Sequence, residues 1–286
     1  MKISLITACF NSEATIRTAI DSVLSQKGVD VEYIVVDGGS KDGTVDIIKQ
    51  YADKSRNTQL TAPNFTFRWL SERDRGMYDA INKGIKMATG DIIGILNADD
   101  VLASDDTLAH VAVQFEGHPR ETLQSRSDLL CNISGEGRID AIYADIRFVR
   151  EGDSVASLRS AKTVRYCSAA KWRPWMFRFA AMVPHPSFYV RRECFERLGY
   201  YSLDYRICSD FELELRFLKL AKLRFAYLPE CVVVMRMGGA STASWRSNVE
   251  INKEDLRALR SHGIWSCLPL IYLKYLFKIW GFVFKK

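Results

Sequence analysis

The chain is built around Gly90-Asp91-Ile92-Ile93-Gly94-Ile95-Leu96-Asn97-Ala98-Asp99-Asp100, an apolar run of strand length that ends in two adjacent carboxylates. Such a run, bounded by glycine and acidic residues, is typical of a buried strand. The loop after a strand of an open α/β sheet lines the ligand crevice, so we expect Asp99 and Asp100 in a binding site. Carboxylates suit Mg or Mn, which bind through one or two of them together with substrate phosphates. The run therefore predicts a phosphate-bearing substrate; acidic residues that only begin the next helix are the alternative.

Similar units precede this strand. Short apolar runs at residues 2–7, 32–37 and 65–71 are each followed by a turn and a helical pattern. This alternation of strand, turn and helix predicts parallel βαβ units. We therefore expect an α/β fold with a Rossmann-like, mostly parallel central sheet flanked by helices.

The composition is that of a globular protein. With 286 residues, 48% hydrophobic and 26% charged, the chain is long enough for one large domain. Its seven cysteines form no Cys-x-x-Cys pair, which favours reduced thiols over a disulfide framework or a zinc site. The N-terminal apolar run is too short for a signal peptide, so we expect a cytoplasmic protein.

The excess of positive charge lies at the end of the chain. Residues 256–286 contain six basic residues and no acidic one, which equals the net charge of +6 of the whole chain. Nucleic-acid binding would place a basic stripe across the folded domain, whereas a basic tail interleaved with aromatic residues suits an anionic membrane surface. At helical spacing Lys274, Lys278 and Lys285 share one stripe, and a central lysine makes spanning unfavourable by about 2.5–3.5 kcal/mol. We therefore expect residues 263–286 to form an amphipathic helix lying on the membrane; a helix packed on the body or on a dimer partner is the alternative.

Five motifs occur in order along the chain. They are Thr7 to Asn11; Asp37-Gly38-Gly39-Ser40-Lys41-Asp42-Gly43-Thr44; Ser71-Glu72 with Asp74 and Gly76-Met77-Tyr78-Asp79-Ala80-Ile81-Asn82-Lys83-Gly84; Ala88-Thr89-Gly90-Asp91; and Leu96-Asn97-Ala98-Asp99-Asp100. In this order they resemble the bacterial family-2 glycosyltransferases, which are inverting, nucleotide-sugar-dependent enzymes with the GT-A fold. The strong resemblance ends near Asp100 and continues more loosely through His185, Asp210 and Gly238.

The resemblance implies one GT-A domain over residues 1–262. Its nucleotide-sugar-binding half would be residues 1–117, and its acceptor-binding half residues 140–262. The polar residues 118–138 are predicted to form a surface insertion, and the sequence around 141–150 favours two short strands near a turn.

The resemblance also implies a set of donor-binding residues. Thr7 and Asn11 would flank the nucleotide base, and Asp37 would accept a hydrogen bond from it. A turn-stabilising role before two glycines is the alternative for Asp37. The start of the helix near residue 77 would offer free backbone N–H groups to phosphate or sugar oxygens. The residues there are Asp74, Arg75 and Gly76.

The metal motif departs from the family pattern. Asp99 matches the last acid of the family's Asp-x-Asp motif, but the first position of that motif is Asn97 here. An amide oxygen can bind a ribose hydroxyl or a cation, yet it brings no negative charge. We therefore expect Mg or Mn to depend on Asp99 and Asp100.

Inversion in one step needs a carboxylate that takes the proton of the acceptor hydroxyl. Asp210 resembles the acid at the family's base position, and it opens a helix whose N-terminal dipole favours an ionised carboxylate. A purely helix-stabilising role is the alternative for Asp210. Asp204 in the preceding loop is a weaker candidate for the base, and the nearby Glu212 and Glu214 are not expected to serve as it. His185 is considered as a base because histidine side chains ordinarily titrate near neutrality, but a lone histidine before proline is expected to be structural.

The implied activity is transfer of a hexose or N-acetylhexosamine from a nucleotide diphosphate, expected to be UDP, to a glycan or lipid-linked acceptor in cell-surface polysaccharide synthesis. The enzyme would lie at the inner face of the cell membrane. A sugar nucleotidyltransferase would need a Gly-rich basic loop after the first strand and a dehydrogenase would need G-x-G-x-x-G, and residues 8–13 contain neither. A membrane-bound scaffold without catalysis is the remaining alternative, and the presence of Asp37, Asp99 and Asp210 argues against it.

Overall fold

Four parallel strands form the first half of the sheet, in the order β3-β2-β1-β4. In this computed structural model they are β1 (Lys2–Cys9), β2 (Asp30–Asp37), β3 (Phe65–Ser71) and β4 (Ile92–Ile95). Most side chains of β1, β2 and β4 are buried, as in parallel strands that are covered on both faces. The structure describes residues 1–57, 65–116, 138–150, 152–238 and 245–275. The predicted insertion at 118–138 lies outside them except for its last residue.

Helices connect these strands as the sequence pattern predicts, and the βαβ order is confirmed. They are α1 (Ile16–Leu24), α2 (Thr44–Asn57) and α3 (Met77–Met87), and a further helix, α4 (Thr107–Glu116), comes after β4 in the chain. Gly84 lets α3 lie directly on β1, because a Cβ at this position would collide with Ile6. The register pairs Cys9 with Asp37 and Asp37 with Ser71, so the carboxyl ends of β1, β2 and β3 meet at one edge of the sheet.

The second half of the sheet mixes directions and continues in the order β4-β8-β6-β9-β5. Its strands are β5 (Val101–Leu102), β6 (Ala141–Val149), β7 (Arg165–Cys167), β8 (Tyr189–Arg191) and β9 (Phe225–Arg236). Strand β6 runs parallel to β9 but antiparallel to β7 and β8, and β5 runs antiparallel to β9. Uniformly parallel pairing therefore holds for the first four strands only.

Strand β6 is continuous, so the prediction of two short strands around residues 141–150 is wrong. The strand contains an irregularity, since its register with β9 shifts on both sides of Asp145. The buried Asp145 carboxylate accepts hydrogen bonds from the hydroxyls of Tyr166 and Tyr227 and from the backbone N–H of Ala169. These partners stabilise a bulge at the point where the sequence predicts a turn between two strands.

Two apolar cores cover the two faces of the sheet. Helices α1, α2 and α4 pack on one face. The other face carries α3 together with helices from the second half of the chain. Helix α5 (Val155–Ser160) belongs to neither core, since its Leu158 packs with Val101, Val149 and Val234 in a smaller apolar cluster. The helices on the face of α3 are α6 (Arg192–Leu198), α7 (Ser209–Glu214), which continues as a π-helical turn, α8 (Trp245–Ser261) and α9 (Leu268–Tyr272). Because α3 and α7 share a core, the start of α7 lies close to the first half of the chain.

The beginning of the predicted tail packs on the body. Ile271 of α9 is fully buried, and Ile264 and Leu268 pack against the same core. Lys274 is only 6% exposed, and its Nζ lies 2.6 Å from the Asp255 carboxylate of α8. The placement of Lys274 on an exposed basic stripe is therefore wrong, because this ammonium is buried and paired. Residues 276–286 lie outside the described residues, and within the described part no helix is long and apolar enough to cross a membrane.

Candidate active site

The carboxyl edge of the parallel strands collects most of the predicted donor residues. Asn11 follows β1, Asp37 ends β2, Asp74 follows β3 and Asn97 follows β4. Two loops of this edge are joined directly, since the Asn11 Oδ1 accepts the Lys41 N–H at 3.0 Å. The Ser40 hydroxyl is also hydrogen-bonded to the Asn11 backbone N–H at 2.7 Å. Asn11 has a positive φ of 49°, a conformation that asparagine tolerates better than most residues.

Asp37 holds this edge together from within. Its carboxylate is fully buried and accepts hydrogen bonds from the Gly39 N–H at 3.0 Å, from the Ser40 N–H and hydroxyl, and from the Ser71 hydroxyl at 2.7 Å. These donors use the lone pairs of both oxygens. The geometry therefore favours the turn-stabilising role over direct contact between Asp37 and a nucleotide base.

Thr7 is also a buried residue. It is fully inaccessible, and its hydroxyl bonds to the Leu96 carbonyl and to the Tyr33 hydroxyl. The structure therefore places Thr7 under the edge, where it joins β1 to the end of β4, and not beside the predicted base. Phe10, three residues later, is 59% exposed and was missed by the sequence analysis. An exposed aromatic ring beside Asn11 offers a flat surface to a base.

The two backbone N–H groups just before α3 already have acceptors. The Gly76 N–H donates to Asp74 Oδ1 at 2.8 Å, and the Arg75 N–H donates to Asp79 Oδ2 at 3.0 Å. These two backbone groups are thus occupied by side chains and do not offer free donors to phosphate. The Arg75 side chain is 76% exposed and lies 3.7 Å from Asp79.

Asp74 faces the loop that follows β2. A Cβ built on Gly38 would collide with Asp74 Oδ2, so glycine at this position makes room for the Asp74 carboxylate. Asp74 is half-buried, and among the described residues its only hydrogen-bond donor is the Gly76 N–H. Of the two carboxylates at this point of the edge, Asp74 is the one with hydrogen-bonding capacity left for a ligand.

The loop after β4 separates the roles of its two acids. Asp100 is fully buried, and its carboxylate accepts hydrogen bonds from Asn97 Nδ2 at 2.8 Å and from the Arg236 N–H at 3.3 Å. Burial, and then the charge of Asp99, raise the pKa of Asp100 well above its usual value. Asp99 is half-buried, and no described residue donates a hydrogen bond to its carboxylate. The geometry favours Asp99 over Asp100 as the predicted metal ligand.

Arg236 at the end of β9 anchors this loop, and nothing in the sequence pattern signals it. Its guanidinium donates to the Asp99 carbonyl at 2.7 Å, to the Gly152 carbonyl at 2.9 Å and to the Thr18 hydroxyl at 3.1 Å. It therefore fixes the backbone on which the Asp99 carboxylate is mounted.

Asp210 lies at the start of α7, next to α3. Its Oδ1 accepts the Phe211 N–H at 2.8 Å and lies 3.1 Å from the Tyr78 hydroxyl. Asp210 is half-buried, and its Oδ2 accepts no hydrogen bond from the described residues. The structure thus connects the predicted base to the helix that begins at Gly76.

His185 is part of the packing beneath this region. Its Nε2 lies 2.7 Å from the Tyr201 hydroxyl, and burial lowers the pKa of His185 from its usual value. A neutral, buried histidine with a tyrosine partner fits the structural role that the sequence predicts for it.

Comparison with known proteins finds a family model and several relatives that this chain resembles. Residues 4–126 match the model of glycosyl transferase family 2. The chain is 28% identical over 258 residues to a PGL/p-HBAD biosynthesis glycosyltransferase of Mycobacterium tuberculosis, which covers 90% of this chain and 83% of that protein. It is also 23% identical over 266 residues to an uncharacterized glycosyltransferase of Haemophilus influenzae, covering 91% of each. The resemblance found in the sequence is confirmed.

Solved structures support the fold. A mannosyltransferase from Pyrobaculum calidifontis, in complex with GDP-Man and Mn²⁺, superposes with a TM-score of 0.59 at 20% identity and covers 98% of this chain and 72% of its own. Residues 1–349 of TarS from S. aureus, in complex with UDP-GlcNAc, give a TM-score of 0.59 at 17% identity over 91% of this chain. This chain spans 66% of that TarS fragment. The GT-A type α/β fold is confirmed.

Proposed function

We propose that this chain, which carries a family-2 glycosyltransferase domain, transfers a hexose or N-acetylhexosamine from a UDP-sugar to a glycan or lipid-linked acceptor with inversion at the sugar carbon. The observation that carries the proposal is the pair of half-buried carboxylates with free oxygens, Asp99 after β4 and Asp210 at the start of α7. One carboxylate would serve the departing diphosphate, and the other would serve the attacking hydroxyl.

The nucleoside would bind at the ends of β1 and β3. Phe10 presents an exposed ring to the base, and Asp74 presents a carboxylate that can accept an N–H of the base. Asn11 and the loop it holds would form the remaining wall. Thr7 and Asp37 would support this pocket from below without touching the ligand.

A divalent cation fits the loop after β4 as a partner of the donor. Asp99 offers one ionisable carboxylate, and Asn97 keeps its Oδ1 free because only its Nδ2 is used by Asp100 within the described residues. The described residues contain no group of three or more His, Cys, Asp or Glu side chains that could hold a metal by themselves. Such a site suits Mg or Mn, which take one or two carboxylates together with substrate phosphates. When bound, the cation supplies positive charge that stabilises the leaving diphosphate.

Asp210 would be the general base of the transfer. Its free Oδ2 takes the proton of the acceptor hydroxyl while the hydroxyl oxygen forms a bond to the anomeric carbon. At the same time the bond from that carbon to the diphosphate oxygen breaks, and the electron pair leaves with the diphosphate. Attack from the face opposite the leaving group inverts the configuration.

The donor assignment is tested with the purified protein and a panel of UDP- and GDP-sugars. A ligand that binds only the folded state raises the melting temperature, so the cognate donor should give the largest shift with Mn²⁺ present. NMR of the product formed with that donor should show the inverted anomeric configuration. Retention of configuration would contradict the proposed mechanism.

The C-terminal helices would bind the acceptor and the membrane surface. A surface groove of about 560 Å³ along α8 is lined by Lys253, Arg257 and Arg260 and by no acidic residue. Beyond α8, Trp265 is 68% exposed, and Tyr272 and Leu273 further along the chain are exposed as well. Basic and aromatic side chains of this kind attract the phosphates of a lipid-linked acceptor and of an anionic bilayer. We propose that the enzyme acts at the inner face of the cell membrane, as the sequence resemblance implies.

Sedimentation with vesicles tests the membrane assignment. The full chain should pellet with vesicles that contain phosphatidylglycerol and stay in the supernatant with phosphatidylcholine alone. A triple charge reversal in the groove, K253E/R257E/R260E, should release it, whereas a control reversal of three exposed lysines elsewhere should not. The control variant is K27E/K49E/K162E. Equal release by both triples would refute a specific role of the groove.

A further inference from the structure

The segment that leads into α7 is held from the C-terminal side by Glu254. This carboxylate, on α8, accepts the backbone N–H groups of Arg206 at 3.2 Å, Ile207 at 2.9 Å and Cys208 at 3.0 Å. Three successive donors on one carboxylate fix the backbone immediately before Ser209, the first residue of α7.

The same segment is held from the opposite side by α3. The Tyr78 hydroxyl lies 2.5 Å from the Ile207 carbonyl and 3.1 Å from Asp210 Oδ1. Tyr78 is only 4% exposed, and its ring stacks on Tyr201 with a centroid separation of 5.6 Å. One turn later on α3, Asn82 bonds to both the N–H and the carbonyl of Tyr201, at 3.0 and 2.8 Å. Helix α3 is therefore tied to this segment at two points.

We propose that Tyr78 and Glu254 are positioning residues that fix Asp210 for proton transfer, an inference that rests on the proposed role of Asp210 as the base. The Phe211 N–H donates to Oδ1 of Asp210, and the Tyr78 hydroxyl, whose single proton has the Ile207 carbonyl as its closer acceptor, lies against the same oxygen. Oδ2 is then the oxygen that remains for the acceptor proton. Glu254 fixes the position of the backbone just before the residue that carries the Asp210 carboxylate.

The rate of proton transfer depends on where the Asp210 carboxylate is held. A general base works only within hydrogen-bond reach of the hydroxyl it deprotonates, and a displacement of about 1 Å can lower the rate by about 10²-fold. Neither Tyr78 nor Glu254 transfers a proton in this account. The proton passes from the acceptor to Asp210 alone, and both positioning residues keep their protonation states.

Helix α3 also connects the proposed donor pocket with the proposed base. Asp74, proposed to read the nucleotide, caps the Gly76 N–H at the start of α3, and Tyr78 is two residues further on. A single helix thus fixes the distance between the donor pocket and the base, which is the distance that an in-line displacement requires.

Several titratable groups face Asp210 from the elements around it. They are Tyr78 on α3, His185 shortly before β8, Tyr201 and Cys208 before α7, Glu214 on α7 and Asp255 on α8. The Tyr78 hydroxyl is the member that lies within hydrogen-bond distance of the carboxylate. Y78F therefore removes this one contact and leaves the other groups in place.

The test compares Y78F and E254Q with D210N in the full chain. Both positioning variants should lower kcat by about 10- to 10²-fold while the donor Kd, measured by calorimetry, and the donor KM stay at the values of the unsubstituted enzyme. Y189F and E250Q are the controls, because Tyr189 is a buried tyrosine on β8 and Glu250 is an exposed glutamate on α8. Both controls should keep full kcat.

The outcomes separate this inference from the proposed function. An unchanged kcat in Y78F and E254Q, together with an inactive D210N, would overturn the positioning roles alone. Full turnover by D210N would instead overturn the proposed base. If E254Q does not fold, E254D retains a carboxylate one methylene shorter and should show a partial loss of kcat at unchanged donor Kd. An unchanged kcat in E254D would then contradict the role of Glu254.

Discussion

The Tyr78 hydroxyl lies 3.1 Å from Asp210 Oδ1, although 131 residues separate them in the chain. Tyr78 belongs to the helix that starts at the proposed donor pocket, and Asp210 is the proposed base on the acceptor side. The two halves of the enzyme are therefore joined where the chemistry is expected to occur.

Replacing Asp37 and replacing Asp74, the two acidic residues at the proposed nucleotide pocket, should affect stability and donor affinity differently. D37A leaves the Gly39 and Ser40 N–H groups and the Ser71 hydroxyl without their acceptor, so it should lower the melting temperature by several degrees. D74A removes a half-buried carboxylate and should weaken donor affinity with a much smaller loss of stability. Differential scanning calorimetry and calorimetric titration of each variant measure both effects. A stable D37A variant that has lost only donor binding would restore Asp37 as the residue that reads the base.

The parallel half of this fold could be predicted because its signals are local. Each strand, turn and helix of residues 1–102 is determined by residues close together in sequence, so hydrophobic periodicity predicts these elements directly. The bulge at Asp145 could not be predicted, since it depends on Tyr166 and Tyr227, which come from other strands.

The same limit applies to the candidate site. The motifs correctly place Asp37, Asp74 and Asp99 at one edge, but they do not show which carboxylates already have their hydrogen bonds filled. Lys274 resembles a membrane-facing lysine in sequence, and only the position of Asp255 on another helix reveals it as buried. Arg236 has no recognisable motif because its partners are mostly carbonyl oxygens.

Metal binding should depend on both Asp99 and the nucleotide. Because the described protein offers one free carboxylate and one amide oxygen here, Mn²⁺ alone should bind weakly, and Mn²⁺ with UDP should bind tightly. Electron paramagnetic resonance of free Mn²⁺ measures both states without any turnover. D99A should abolish the UDP-dependent uptake of Mn²⁺, whereas the exposed-site control D46A should leave it intact. Uptake that is equal in D99A and the unsubstituted chain would refute the assignment.

Glu214 should make the protein less stable as the pH rises. This side chain is fully buried, one of its oxygens has no hydrogen-bond partner within the described residues, and burial raises its pKa well above the usual value. The unfolded chain loses this proton near the ordinary glutamate pKa while the folded chain keeps it. Above that pH the folded state is therefore disfavoured by up to about 1.4 kcal/mol for each pH unit until the folded pKa is reached.

Replacing Glu214 by glutamine removes this dependence. Glutamine keeps an acceptor for the Val183 N–H, which bonds to Glu214 Oε2 at 3.1 Å. Denaturant unfolding of both proteins from pH 5 to pH 8 should show E214Q gaining stability relative to the unsubstituted chain as the pH increases. Parallel stability curves would show that Glu214 is ionised in the folded state.

The pair of Lys274 and Asp255 should be needed to hold α9 on α8. Both side chains are buried, so K274M alone leaves an unpaired carboxylate and should destabilise the protein by about 3–5 kcal/mol. The double variant K274M/D255L removes both charges and should recover most of that loss. Denaturant unfolding of the single and double variants measures it. A double variant as unstable as K274M would show that the pair is not what anchors the helix.

The most direct test of the account is the turnover of D210N measured beside its donor affinity. If Asp210 is the general base, D210N should bind the UDP-sugar as tightly as the unsubstituted chain, keep its melting temperature, and transfer the sugar about 10²–10⁴-fold more slowly. Normal turnover, or a loss explained by an earlier melting transition, would contradict the role as base and leave Asp210 as an acidic residue in the first turn of α7.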